Sequence, residues 1–456
     1  MHNTKKKIAV LGGGISGYGS AVLAKKLGYD VFLSDAGTIA ERFSSVLDRW
    51  GVEYEQGHHS MERLLAADEA VKSPGIPDTA PVVEALRAKG IPVISELEFA
   101  ARYKGHVRTI CITGSNGKTT TTSLIYAIMR AAGLRTALGG NIGQSVAMSV
   151  VEGGYDWFVL EISSFQLDGM YDFKADISVL MNITPDHLDR YGYCFQNYVD
   201  SKMRIIRNQD AGCFFVHTAD DEVVAAEVAK RSGMSVRTLP FGVRNGGEGK
   251  TAAWLHDDGK AFTATVGGES VTVDVDSLKI KGMHNIYNAM AAALATLAAG
   301  VAPQTVARAL CDFDPVEHRL EPAGEYDGVL YINDSKATNV DSVWYALESM
   351  TRPVVWIAGG KDKGNDYGPL KEFARQKVKT LVCMGLHNEK LVEEFTGVVP
   401  HVISTSSLDE AMQAARKAAQ PGDAVLLSPA CASFDLFKSF EDRGTQFKQW
   451  IFSNLV

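Results

Sequence analysis

The chain has 456 residues, 46% hydrophobic and 22% charged, with a formal net charge of −8 at pH 7. That length makes room for about three domains of ordinary size, and the acidic balance excludes nucleic acid as the main partner, because a phosphate backbone calls for a basic face. No apolar run approaches the ~20 residues of a membrane span, and the six cysteines form no C-x-x-C pair, which argues against a zinc site or a disulfide framework. Buried thiols, no membrane insertion and cytoplasmic residence are therefore expected, the basic start from Met1 to Lys7 lacking an apolar signal core.

In chain order, Ile8 to Leu11 reads as a strand, followed by Gly12-Gly13-Gly14-Ile15-Ser16-Gly17, a helix to Leu27, a strand from Val31 to Ser34, and Asp35. Further strands are expected near Ala70 to Lys72 and Pro92 to Ile94. Short apolar strands alternating with amphipathic helices point to a parallel sheet covered on both faces. Gly12, Gly14 and Gly17 satisfy G-x-G-x-x-G, with an acidic residue after the next strand, a loop that holds a diphosphate at a helix N-terminus. Such a loop does not distinguish a diphosphate joining two nucleosides from one joining a nucleoside to a sugar. A nucleotide-linked substrate is favoured over a dinucleotide cofactor because a separate triphosphate loop follows.

That loop opens the second block. The strand Arg108 to Ile112 runs into Thr113-Gly114-Ser115-Asn116-Gly117-Lys118-Thr119-Thr120 and then into the helical spacing of Ser123 to Met129. Strand, glycine turn and helix start aim several backbone N–H groups and the positive end of the helix dipole at one phosphate chain. Lys118 is placed to reach the β and γ phosphates, and the Thr119 hydroxyl to ligate a bridging magnesium ion. The first glycine of the general pattern is replaced by Ile112, so the loop is a short variant. Strands are expected near Trp157 to Glu161 and Ile177 to Met181. The stretch Gly246 to Asp276 alternates polar and apolar residues around glycine turns, which predicts antiparallel hairpins added to the sheet. An Ala-rich helix, Asn285 to Ala299, closes the block. The third begins near Pro315 and carries strands Val329 to Asn333, Val354 to Ala358, Leu381 to Met384 and Ala424 to Leu427.

Three residues of the second block are candidates for metal chemistry. Glu161 ends a strand, where ligands of parallel sheets collect; it reads equally as a hard oxygen ligand for magnesium and as an acidic cap of the next turn. Taken alone, His187 is a loop histidine bonded to nearby backbone and Lys202 a solvated helix lysine.

The motifs already quoted, with Gly140-Asn141-Ile142-Gly143, Glu161-Ile162-Ser163-Ser164-Phe165-Gln166-Leu167 and Asn182-Ile183-Thr184-Pro185-Asp186-His187-Leu188-Asp189, resemble the ATP-binding core of the Mur ligases. His318-Arg319-Leu320-Glu321, Asn333-Asp334-Ser335-Lys336-Ala337-Thr338-Asn339 and Ser428-Pro429-Ala430-Cys431-Ala432-Ser433-Phe434-Asp435, with Phe437 to Gly444, are similar to the D-glutamate-adding branch of that family. The resemblance covers essentially the whole chain. It implies an α/β protein of three domains: Rossmann-like at 1–103, P-loop ATPase-like with added β-hairpins at 104–314, and Rossmann-like at 315–456.

It further implies that UDP-N-acetylmuramoyl-L-alanine and D-glutamate are joined through an acyl phosphate at the expense of ATP, by a chain expected to act as a monomer. Gly114, Ser115, Asn116, Gly117, Lys118, Thr119 and Thr120, with Arg319, Asp334 and Lys336, would bind ATP. Gly14, Ile15, Ser16, Gly17, Asp35, Ser73, Asn141 and His187 would meet the UDP-linked substrate, and Thr338, Lys363, Ser433, Phe434 and Phe440 the D-glutamate. Thr119 and Glu161 would hold one magnesium (or manganese) ion. His187 and a Lys202 carbamylated by carbon dioxide would hold a second. Lys118, His187 and Lys202 would be the catalytic residues. Ala36 and Gly37 stand where some relatives carry polar side chains, so uracil recognition here would fall to backbone groups. Lys361 competes with Lys363 for D-glutamate, Lys363 being favoured by position. Three substrates spread over three domains also imply hinge closure near Pro315.

Overall fold

The computed structural model describes residues 5–231, 233–314, 317–362 and 364–455. Pro315, at the expected hinge, and Lys363, expected at the D-glutamate site, lie outside the described residues.

Each block carries its own sheet. In the first, five parallel strands lie in the order Glu53–Gln56, Asp30–Asp35, Lys7–Leu11, Glu69–Lys72, Val93–Ser95. The central strand is buried from Ile8 to Leu11 on both faces, which is why it reads as a continuous apolar run rather than an alternating one. The second sheet has nine strands, in the order Glu269–Asp274, Ala261–Val266, Ala253–Leu255, Arg237–Gly242, Phe214–Thr218, Ile177–Leu180, Arg108–Thr113, Trp157–Glu161, Thr136–Gly140. Only the outer two pairings, Ala253–Leu255 with Ala261–Val266 and the latter with Glu269–Asp274, are antiparallel. The first added strand joins Arg237–Gly242 in parallel, and the antiparallel hairpins expected over 246–276 follow from it. The last hairpin turns on Gly267 and Gly268, both at positive φ, as a two-residue turn between twisted strands requires.

The third sheet orders as Glu321–Tyr326, Val329–Asn333, Ala424–Leu427, Val354–Ala358, Val378–Met384, His401–Thr405, with the first strand antiparallel and the rest parallel. By packing, residues 1–277 with 287–312 make one compact unit, and 278–286 with 313–456 another. The first two sheets belong to one unit for an identifiable reason. Glu98, fully buried on helix Glu96–Ala101, accepts the backbone N–H groups of Tyr171, Asp172 and Phe173 at 2.9, 3.2 and 3.0 Å, and the Ser95 N–H donates to Gly169 O at 2.9 Å. A carboxylate held by three amides is a strong joint, and one apolar cluster runs continuously through both blocks. No helix among the described residues is long and apolar enough to cross a membrane.

Candidate active site

The diphosphate loop leaves strand Lys7–Leu11 and enters helix Ile15–Lys26 with Gly14 as its N-cap. A Cβ on Gly17 would stand 1.7 Å from the Gly12 carbonyl oxygen, so only glycine lets the helix seat against the loop. Asp35 is already engaged: its carboxylate accepts the Gly13 N–H at 2.6 Å and the Gly37 N–H at 2.7 Å, shaping the loop from the neighbouring strand. Ser73 closes the other side. Its buried Oγ has no hydrogen-bond partner among the described residues and sits 2.6 Å from where a Gly12 Cβ would be.

The triphosphate loop leaves strand Arg108–Thr113, and helix Lys118–Ala131 begins after Gly117, which has φ +83°. A side chain at Gly117 would collide with Asn288 Oδ1 at 2.6 Å. The 182–184 segment clamps the loop: Asn116 N–H donates to Asn182 Oδ1 at 2.7 Å, Ser115 N–H to Asn182 O at 3.0 Å, and Ser115 Oγ to Thr184 O at 2.9 Å. Lys118 folds back over the loop, Nζ donating to Gly114 O at 2.8 Å and Ser115 O at 3.0 Å. It thus stands over the loop it follows.

Around this loop the structure collects Glu161 and Lys202. Lys202 is not the solvated lysine that its helix suggested: it is 2% exposed, and Nζ donates to Gly114 O at 2.9 Å. Burial, reinforced by the nearby Lys118 ammonium, pushes its pKa well below the ordinary lysine value. Glu161 is buried as well. Asn141 Nδ2 donates to its Oε1 at 2.9 Å, while Oε2 has no hydrogen-bond partner among the described residues. The alternative role of capping the next turn falls instead to Ser163, which makes a capping box with Gln166. A buried carboxylate oxygen left open, beside a threonine-bearing phosphate loop, is a hard oxygen donor set suited to magnesium. His187 adopts φ +52° on the next loop, its ring edge-on to Phe165 at 5.1 Å and its Nε2 3.5 Å from Asp186. The His187 side chain is 37% exposed.

The C-terminal unit gathers its own candidates at the C-terminal ends of its parallel strands. Ser428 Oγ donates to Asp334 Oδ2 at 2.7 Å and Leu320 N–H to Oδ1 at 3.2 Å; Lys336 Nζ lies 4.9 Å over the Phe440 ring; Ser433 is buried and Phe434 exposed. Arg319 and Thr338 occupy the loops beside these residues, and Lys361 pairs by backbone with Ala432. Burial pushes the Asp334 carboxyl up to about 7. Folding therefore favours the neutral acid, a contribution complete below the unfolded value near 4 and lost as pH rises toward 7. Asp334→Asn, neutral throughout, is expected to gain on the parent by about 1.4 kcal/mol per pH unit across that window. Denaturant midpoints at pH 4.5, 5.5 and 6.5 check this; a constant gap would contradict it.

Two residues carry the site without having been singled out in the sequence. Asn288, inside the Ala-rich helix Met283–Ala298, braces the phosphate loop through Gly117 and accepts from Thr121 Oγ1 at 3.1 Å. Its signal was a polar amide amid buried alanines. Arg443 is completely buried and donates to Ser335 Oγ at 2.9 Å, Ser335 O at 2.8 Å and Cys431 O at 3.3 Å. Nothing in local spacing distinguishes it from the exposed charges that precede it on the same helix.

A glycine turn opening a helix on one mostly parallel sheet, joined through a shared core to a second such turn on another, is the arrangement of nucleotide-binding α/β proteins. Residues 7–82 match the family model described as the MurD N-terminal domain, 112–296 the Mur ligase middle domain, and 318–431 the Mur ligase glutamate ligase domain. The chain is 50% identical over 447 residues to UDP-N-acetylmuramoylalanine--D-glutamate ligase of Bacteroides fragilis, covering 98% of this chain and 99% of that one. It is 41% identical to the enzyme of the same name from Chlorobaculum tepidum, covering 98% of each. Among solved structures, UDP-N-acetylmuramate-alanine ligase from Thermotoga maritima shares the fold, with a TM-score of 0.62 at 20% identity over 98% of this chain and 99% of that chain. The chain belongs to the Mur ligase family.

Proposed function

We propose that the protein joins D-glutamate to UDP-N-acetylmuramoyl-L-alanine at the expense of ATP, a step in peptidoglycan precursor synthesis. The observation that carries this function is 41–50% identity, over nearly the full length, to relatives named for that one activity. The order of steps follows from what an amide bond requires. A free carboxylate is a poor acyl donor, so the substrate's L-alanyl carboxylate first takes the γ-phosphate of ATP. The amine of D-glutamate then attacks the acyl phosphate, and phosphate leaves as the amide forms.

The loop amides of 114–120 and the Lys118 ammonium hold the triphosphate in place and offset its repulsion with the incoming carboxylate. Magnesium, held by Thr119 and Glu161 and at a second position by His187 and carbamylated Lys202, would neutralise charge on the transferring phosphoryl group. Lys202 fits carbamylation: a buried amine with a depressed pKa keeps a neutral nucleophilic fraction that adds carbon dioxide, releasing one proton and leaving a carboxylate. Asn141, fixed by Glu161, and His187 would orient the UDP-linked substrate, whose diphosphate lies on the 12–17 loop. Arg319, Asp334 and Lys336 would complete the ATP site, and Thr338, Ser433, Phe434, Phe440 and Lys363 the D-glutamate site. Monomeric action and cytoplasmic residence complete the proposal.

Phosphate release from ATP in the presence of UDP-N-acetylmuramoyl-L-alanine tests the assignment, with D-glutamate, L-glutamate, glycine, L-alanine or L-lysine as acceptor. Turnover is expected only with D-glutamate, with the amide product seen by mass. Release driven by another amino acid would keep the ligase chemistry and overturn the acceptor.

A further inference from the structure

Glu96 is the first residue of helix Glu96–Ala101, immediately after the last strand of the first sheet, yet its side chain points into the second block. It is 3% exposed. Oε1 accepts the Ser145 hydroxyl at 2.5 Å and the Ala147 N–H at 3.1 Å. Burial pushes the pKa of this carboxyl up, with the Ser145 and Ser16 hydroxyls pulling the other way, and Oε2 is buried with no hydrogen-bond partner among the described residues. The contact zone is tight: a Cβ on Gly19, one turn along the diphosphate helix from Ser16, would stand 1.9 Å from Ser145 Oγ.

Ser145 caps helix Val146–Glu152 and ends the loop that begins at Gly140 and carries Asn141, the residue bonded to Glu161. One buried carboxyl therefore holds Ser145 at the point where the segment that places Asn141 meets the diphosphate helix. Burying a carboxyl is costly without a return in hydrogen bonds, and an apolar residue would pack these helices more simply. What it adds is a directional link between two loops that handle opposite ends of one substrate.

We propose that Glu96 is a positioning residue: it sets the spacing between the diphosphate loop and Asn141, and so the place where the reacting carboxylate of the UDP-linked substrate lands. This rests on the function proposed above. Misplacing a reacting group by about 1 Å costs on the order of 10²-fold in rate, so a modest slackening of this link shows in kcat before it shows in stability.

A double-mutant cycle with Asn141 tests it, because groups that act through one another are not additive. Glu96→Ala is expected to lower kcat about tenfold, with the KM values for ATP and D-glutamate within twofold of the parent. In an Asn141→Ala background the same change is expected to cost less than twofold. Equal fold-losses in both backgrounds, or an unchanged kcat in the parent background, would overturn the proposal. Should Glu96→Ala fail to fold, the cycle is run with Ser145→Ala, which keeps the carboxyl and removes the hydroxyl it holds, with the same two outcomes. Failure of the functional assignment looks different: the parent enzyme itself would then make no amide with D-glutamate.

Discussion

Replacing Lys202 by alanine is expected to lower kcat about a thousandfold, the scale on which a single charge-stabilising group at a phosphoryl or acyl transfer site is felt. The side chain is buried against the Gly114 carbonyl, and alanine leaves both a cavity and a missing charge at the heart of the phosphate loop. If the working form is the carbamate, short carboxylates such as acetate or formate at tens of millimolar should restore part of the rate, since they resupply the anion. Arginine should not rescue, because it stays cationic at all accessible pH. A carbonyl resonance appearing in the parent, but not in the alanine variant, on incubation with 13C-bicarbonate would report the carbamate directly. Parent-like turnover in the alanine variant would remove Lys202 from the chemistry.

Arg443→Ala is expected to cost about 4 kcal/mol of stability in the C-terminal unit. The guanidinium is completely buried, and its removal leaves the Ser335 and Cys431 carbonyls and the Ser335 hydroxyl without their donors, each worth about 1–3 kcal/mol when left unsatisfied. Burial pushes the Arg443 pKa down to about 10, so the group still enters the folded state charged at neutral pH. Lysine should recover less than half of the loss, because a point ammonium does not span the forked contacts that a planar guanidinium makes. Denaturant unfolding of the three proteins checks both statements; a loss below about 1 kcal/mol for alanine would mean that water replaces the arginine. The same variant should raise the KM for ATP, since Ser335 lies between the proposed ATP residues Asp334 and Lys336.

Much of the molecule was legible in the chain because its signals are local. A buried parallel strand has to be apolar on both faces, so Lys7–Leu11, Trp157–Glu161, Val354–Ala358 and Ala424–Leu427 stand out as short runs wherever they occur. A loop that lets backbone approach a phosphate chain has to be glycine-rich, so the 12–17 and 114–117 turns declare themselves within a few residues. Those two facts pointed to the class of fold and to phosphate binding, whereas most of the residues expected around the site came from the resemblance to the Mur ligases.

Tertiary structure alone decided how individual charged side chains are used. Lys202 and Gly114 are 88 positions apart in the chain, and only their meeting turns an ordinary helix lysine into a buried amine of depressed pKa. Glu98 joins two blocks through amides 73 to 75 positions away, Asn288 reaches Thr121 across 167, and Arg443 reaches Ser335 across 108. Hydrophobic period and turn chemistry act between neighbours, and so are written in short stretches of sequence. Desolvation depends on every element packed around a group, so whether a charge faces water or a carbonyl is settled only when the sheets have closed over it.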